Sequence, residues 1–392
     1  MLIAFRNLLV NIMAVFIFDR DARHEFRSKY KIKSKLKLLQ DDNTRLFNEV
    51  KILNIQIRNI QKNLSKLNSK RMLKLSDYTI EYCKKFYKAI DEADFAKKYE
   101  NLIKGLDDES IECVSQILGR ITLIYKKVKT SEKGSLEEEW LDVFTDDELY
   151  QIDKIRKEFR QQIVRLSDGC FAYKQHMLPV NQFRANVFYH KHDISKLRYL
   201  DRIKNKDVID AGGCIADSAI MFTEFINGKI YTFEPTSVNY DVMLKTIELN
   251  QSKNIVPVKL GLGSKEEKLF MELVHRNYGG NKVATGQHVT EESKDYERVS
   301  ITSLDNFLEG KDIDVGLIKV DVEGYEQEFL KGAYQTIKKY KPSMLISIYH
   351  NPSDFLNIKP IIESWDLGYS FKISHPVDGG IIAETVLICE QD

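Results

Sequence analysis

A short β-branched run, Asp207-Val208-Ile209-Asp210, passes directly into Ala211-Gly212-Gly213-Cys214-Ile215-Ala216-Asp217-Ser218. Strand, glycine turn and helix start in that order constrain the fold more than any other part of the chain. Glycine lets a ligand approach the backbone, and a helix start offers free N–H groups. A second strand, Lys229 to Phe233, ends at Glu234-Pro235. An acid at that strand end is placed to accept hydrogen bonds from ribose hydroxyls. From Gly169 onward such short strands alternate with helical segments, which predicts an α/β domain with a largely parallel sheet.

The nucleotide is narrowed by what the turn lacks. A dinucleotide fold asks for G-x-G-x-x-G, and the aligned positions are Ala211, Gly213 and Ala216. Two of the three glycines are missing, so a pyrophosphate would be poorly cradled. The stretch D-A-G-G-x-x-A resembles the first motif of class I methyltransferases, and F-E-P their second. The later segments ITSLDNFL (301–308), IKVDVEGYEQEFLKGA (318–333), ISIYHNPSDF (346–355) and ETVLIC (384–389) complete a pattern that resembles the FkbM-type methyltransferase family. That resemblance implies a Rossmann-like class I methyltransferase domain, S-adenosyl-L-methionine as cofactor, and methylation of a hydroxyl. Ala216 departs from the pattern, because relatives usually carry glycine there. Its methyl group is expected to weaken the cofactor site.

Ligands of open α/β sheets bind beyond the carboxyl ends of the strands. Asp210, Gly212 and Gly213 are therefore expected at the methionine part of the cofactor and Glu234 at its ribose. Gly261 and Leu262, after a third strand from Ile255, are expected at the adenine rim. In the fourth strand Lys319 and Asp321 share one face, roughly 7 Å apart along it. They either neutralise each other or meet the substrate. His350 follows the fifth strand and is the candidate general base, with an unperturbed pKa near neutrality. Its plainer reading is a bond to the Asn351-Pro352 turn. Asp321 is the second candidate base, or orients His350. The segment from Lys268 to Arg298 reads as a loop or hairpin over the cofactor rather than a crossover helix.

The amino-terminal part carries a different pattern. Residues 1–18 are apolar apart from Arg6, Asn7 and Asn11, and from Arg20 to Lys37 eight Lys and Arg face two acids. An apolar helix followed by a basic run predicts a segment (1–35) that lies on an anionic membrane surface. Leu36, Asn43, Val50, Ile57 and Leu64, with Leu39, Leu46, Leu53, Ile60 and Leu67, form an a/d seam. That predicts a parallel coiled coil over 36–68 and a homodimer through residues 36–67. A helix packed on its own chain is the alternative. Residues 69–168 read as a helical spacer, with Thr145 and Glu148 spaced as a capping box. The methyltransferase domain is expected over 169–392.

With a net charge of +1, nothing calls for nucleic acid. The five cysteines are scattered without a C-x-x-C pair, which fits a reducing cytoplasm and gives no metal-ligand spacing. Together these readings expect a cytoplasmic enzyme on the inner face of a membrane. Its expected reaction is O-methylation of a sugar hydroxyl in a bacterial surface polysaccharide or its precursor. A polyketide-like small-molecule methyltransferase, a coiled-coil scaffold without turnover and a dehydrogenase are the competing readings.

Overall fold

The computed structural model describes residues 53, 56, 73–74, 77–130, 140–141, 143–274, 278–284, 291, 293–377 and 380–391. The apolar segment, the basic run and the heptad seam lie outside the described residues, save Leu53 and Gln56, which are both helical. Among the described residues no helix is long and apolar enough to cross a membrane.

The chain divides into two compact units, residues 1–74 with 138–149 and residues 75–137 with 150–392. In the first, Leu73–Lys74 pairs antiparallel with Trp140–Leu141. The expected capping box is present there. The Thr145 amide donates to Glu148 Oε2 at 2.8 Å, and the Glu148 amide donates to Thr145 Oγ1 at 3.3 Å.

The second unit is built on a seven-stranded sheet. Its strands are β1 (Asp207–Ala211), β2 (Ile230–Phe233), β3 (Ile255–Val258), β4 (Val315–Val320), β5 (Ser343–Ser347), β6 (Tyr369–Ser374) and β7 (Val386–Gln391). The spatial order is β6-β7-β5-β4-β1-β2-β3, and β7 runs antiparallel to both neighbours. This is an open, largely parallel α/β sheet, as the alternation of strands and helices predicts. Strand β4 is buried along its whole length, as is β5. Both faces of these central strands are covered, which is why they read as near-continuous apolar runs rather than alternating ones. The chain reverses direction of winding between β1 and β4, so a crevice opens at their carboxyl ends.

Local chemistry sets the helix starts around that crevice. Ser303 caps the helix Leu304–Leu308, its Oγ accepting from the Asn306 amide at 3.1 Å. Asn351 caps Pro352–Ser364, its Oδ1 accepting from the Asp354 amide at 2.9 Å, with Pro352 in the first turn. The helix Ser237–Leu249 buries Asn239, Val242, Met243 and Thr246, one stripe at helical spacing.

The helices expected to act as a spacer are packed differently. Residues 75–137 belong to the same compact unit as the sheet. Ser110 Oγ accepts from the Ile373 amide at 3.0 Å, and Asp107 pairs with Lys372 at 3.1 Å. Lys359, almost wholly buried, reaches Asn101 O at 3.3 Å and Glu363 at 3.0 Å. Strand β6 is one edge of the sheet, and the helix Asp108–Thr130 lies against it. Covering an edge in this way removes a template for unwanted strand pairing.

A second sheet of four strands follows β3. It is ordered Lys282–Val283, Glu267–Glu272, Tyr296–Thr302 and Gly261–Leu262. The segment expected as a loop or hairpin is thus a hairpin standing beside the crevice.

Candidate functional site

The glycine turn is held from behind by a buried polar cluster. Asp210 is fully buried, and its Oδ2 accepts from Ser218 Oγ and Thr232 Oγ1, each at 2.8 Å. Lys319 Nζ lies 3.2 Å from Asp210 Oδ1 and donates to Gly212 O at 2.8 Å. Gly212 has φ of +80°, and a Cβ there would sit 1.8 Å from the backbone oxygen of Asp321. Only glycine lets β1 and β4 approach so closely. The Gly213 amide is not free, since it donates to Phe233 O at 2.8 Å. Asp210, Gly213 and Lys319 therefore shape the turn from beneath, while Gly212 forms part of the cleft wall.

Gly212, Glu234, Gly261, Leu262 and Asp321 line one cleft together with Phe233, Met271 and Ile301. The space between them is about 670 Å³ counted out to the open mouth. Glu234 is buried, and its Oε1 accepts from the Thr236 amide at 2.9 Å and from Thr236 Oγ1 at 2.5 Å. Burial pushes its carboxyl up to about 7, against the downward pull of Thr236 and Asn239. A buried carboxylate at the end of β2 suits a ribose diol, and Phe233, Leu262 and Ile301 offer an apolar wall for a base. Arg184 also lines the cleft, 3.9 Å from Asp217, whose Oδ2 is buried without a hydrogen-bond partner. A guanidinium there suits an amino-acid carboxylate. The residues present fit S-adenosylmethionine. No feature of the sequence singled out Arg184, because it stands alone in an irregular segment before β1.

Ala216 does not face this cleft. It adopts φ 64° and ψ 21° and is buried within the main apolar core. The expected obstruction of the cofactor site by its methyl group is thus replaced by a local backbone cost. Cys214 does line the cleft, but burial pushes its thiol up to about 12, which leaves it inert as a nucleophile.

The hairpin is fastened across the cleft. Tyr278 O accepts from Cys214 Sγ at 3.1 Å and from Asn239 Nδ2 at 2.8 Å, and the Gly280 amide donates to Glu323 Oε1 at 2.7 Å. Residues 278–281 therefore form a wall of the cleft pinned to the turns after β1 and β4.

His350 is not placed as a neutral base. Its Nδ1 lies 2.9 Å from Glu326 Oε1, and its Nε2 lies 3.4 Å from both Asp321 Oδ1 and Glu323 Oε2. Burial alone would lower its pKa, but Glu326, Glu323 and Asp321 override that and hold it well above the ordinary value. That direction runs against the expectation of a pKa near neutrality for a general base. Nor is His350 among the residues lining the cleft, whereas Asp321 is. Asp321 Oδ1 also accepts from the Tyr349 hydroxyl at 3.4 Å. Behind His350, Asp354 is pushed up to about 7 by burial and by Glu326. Glu326 was passed over in the sequence although it sits inside D-V-E-G-Y-E. Three acids in six residues after a central strand were the available signal.

Residues 210–371 match the model of the methyltransferase FkbM domain. The chain is 24% identical over 191 residues to Methyltransferase 1 of Beauveria bassiana, covering 43% of this chain and 74% of that one. Among solved structures it is similar to the methyltransferase FkbM of Methylobacillus flagellatus, with a TM-score of 0.48 and 17% identity. That match covers 78% of this chain and 60% of the other, so the chain spans less than two thirds of that protein. A methyltransferase from Podospora anserina bound to S-adenosylhomocysteine is similar at a TM-score of 0.33 and 10% identity, over 63% of this chain and 89% of that one.

Proposed function

We propose that this chain, whose residues 210–371 are an S-adenosylmethionine-dependent methyltransferase domain of the FkbM type, methylates a hydroxyl of a sugar. The observation that carries this reading is that Glu234, suited to ribose, and Asp321, suited to an acceptor proton, open into one cleft. The acceptor side of that cleft supports a polyhydroxylated partner. Asn281 and Glu323 supply hydrogen-bonding groups there, and Tyr278 and Tyr325 supply aromatic faces. The apolar segment, basic run and heptad seam extend the reading to a dimer working at an anionic membrane surface, on a polysaccharide or its precursor.

When bound, S-adenosylmethionine supplies a methyl group on a sulfonium centre. The protein's part is to bind, orient and accept a proton. Lys319 and Asp210 hold the glycine turn in shape, Glu234 receives ribose hydroxyls, and the pinned 278–281 wall narrows access of water. Asp321 is the group placed to take the acceptor proton or to aim its oxygen. Holding two reacting groups in line accounts for much of the rate of such a displacement. Tyr349 and His350, both on Asp321 Oδ1, restrict how that carboxylate can turn.

Melting temperature in the presence of S-adenosylmethionine, S-adenosylhomocysteine or NAD tests the cofactor half of this reading. The first two should raise it and NAD should not. A rise with NAD alone would make the protein a dehydrogenase.

A further inference from the structure

Beyond the cofactor cleft, a second cluster converges just beneath Asp321. Four carboxylates (Asp321, Glu323, Glu326 and Asp354) gather around a single imidazole, His350. Glu326 is fully buried and its Oε2 has no hydrogen-bond partner. The His350 side chain is 7% exposed, and neither of its ring nitrogens makes a well-aligned hydrogen bond despite the nearby oxygens. Two strong polar groups are thus buried side by side with few hydrogen bonds of good geometry, a costly arrangement for a protein interior.

The nearby cations are committed elsewhere. Lys319 pairs with Asp210 at 3.2 Å, and Arg184 lies against Asp217 at 3.9 Å. Even with His350 charged, three acids within 3.4 Å face one positive group.

We propose that Asp321, Glu326 and His350 bind a divalent metal ion, with Glu323 at its open side. One ligand atom from each of the first three lies within 4.8 Å of the others. Two ligands each about 2.1 Å from one ion stand about 3 Å apart at a right angle. The 2.9 Å between His350 Nδ1 and Glu326 Oε1 matches that spacing. A site rich in carboxylate with one imidazole suits manganese or magnesium better than a soft thiophilic metal. Asp321 and Glu323 both line the cleft, so an ion has a path from solvent. A metal there would stand behind the acceptor pocket, where it could polarise a substrate oxygen. The local sequence explains why the site is hard to read. Asp321, Glu323 and Glu326 come from the turn after β4 and the next helix, while His350 comes from the end of β5, so only the sheet order brings them together.

Titration of the full-length protein with MnCl2 tests this, read by electron paramagnetic resonance and calorimetry after chelator treatment. One manganese ion per chain is expected. Glu326→Gln and His350→Gln should each weaken its binding at least about tenfold, the scale of loss when a metal site is damaged. Glu272→Gln, whose carboxylate pairs with Lys282 and does not line the cleft, should leave it unchanged. Circular dichroism on each variant shows that the fold persists. Wild-type protein that binds no manganese at about 1 mM, the weak end of protein sites for hard divalent ions, overturns the proposal. So does stoichiometric binding that both cluster variants retain. S-adenosylhomocysteine binding, measured on the same samples, reports the methyltransferase reading separately.

Discussion

Lys319 and Asp210 face each other across β4 and β1 as register partners, with Nζ 3.2 Å from Oδ1 and both side chains almost wholly buried. The same ammonium donates to Gly212 O at 2.8 Å. One ion pair thus supports the turn that the cofactor must approach, from the side the cofactor does not touch. Lys319→Met would strand a buried carboxylate, which typically costs about 3–5 kcal/mol. Urea unfolding of Lys319→Met, Asp210→Asn and the double variant should show the double less destabilised than the sum of the singles, as expected for groups in contact. Strict additivity would mean the pair does not act as a unit.

Glu234 should make cofactor binding depend on pH. Its carboxyl titrates at about 7 in the free protein because burial disfavours the charge. Ribose hydroxyls donate to the ionised form, so binding favours loss of the proton. Affinity for S-adenosylhomocysteine should therefore rise about tenfold from pH 6 to pH 8. Since the folded pKa lies above the unfolded one, this group stabilises the free protein most in acid. That contribution is lost as pH rises through about 7. The melting-temperature gain on adding ligand should widen over the same window. Glu234→Gln should bind more weakly and lose most of the pH slope; an equal slope in both proteins would remove Glu234 from the ribose.

Ala216→Gly separates two accounts of one methyl group. Relief of the left-handed backbone gains about 1–2 kcal/mol. Loss of a buried methyl costs about 0.8 kcal/mol, and glycine's extra chain entropy costs about 0.5–1 kcal/mol. These nearly cancel, so stability should change by less than about 1 kcal/mol. Because Ala216 faces the core, affinity for S-adenosylhomocysteine should stay the same. Calorimetry showing markedly tighter binding by the glycine variant would return Ala216 to the cofactor site.

Asp321→Asn should cut turnover roughly 10²–10⁴-fold while leaving cofactor affinity nearly intact. Single-turnover rates and calorimetry on the same preparation check both halves. Equal losses in rate and affinity would make Asp321 a cofactor ligand instead.

The strands of the sheet were readable because their apolar runs and strand-end acids are local features. Glu234, Gly212, Gly261, Leu262 and Asp321 line one cleft at the carboxyl ends of the parallel strands, where a ligand of such a sheet is sought. The roles of Lys319 and His350 were not readable in the same way. Whether a charged side chain at a strand end faces ligand or neighbour depends on register. Lys319 stands opposite Asp210, and that pairing is set by which strand lies beside β4. The environment of His350 comes from acids 24 to 29 residues earlier in the chain, brought near by the β4–β5 crossover. The helices over 77–130 looked like a spacer because their charged faces gave no hint that Ser110 and Asp107 bind the edge strand β6.

Transfer of a carbon-13-labelled methyl group from S-adenosylmethionine tests the central claim most directly. Full-length protein would be incubated with the labelled cofactor and a panel of saccharides and lipid-linked saccharides, and the product examined by two-dimensional carbon–proton NMR. A labelled methyl bonded to a sugar oxygen is expected, reduced with Glu234→Ala at limiting cofactor and sharply reduced with Asp321→Asn. A methyl found on nitrogen or carbon, or label transferred equally well by the Glu234→Ala variant at limiting cofactor, would contradict that claim.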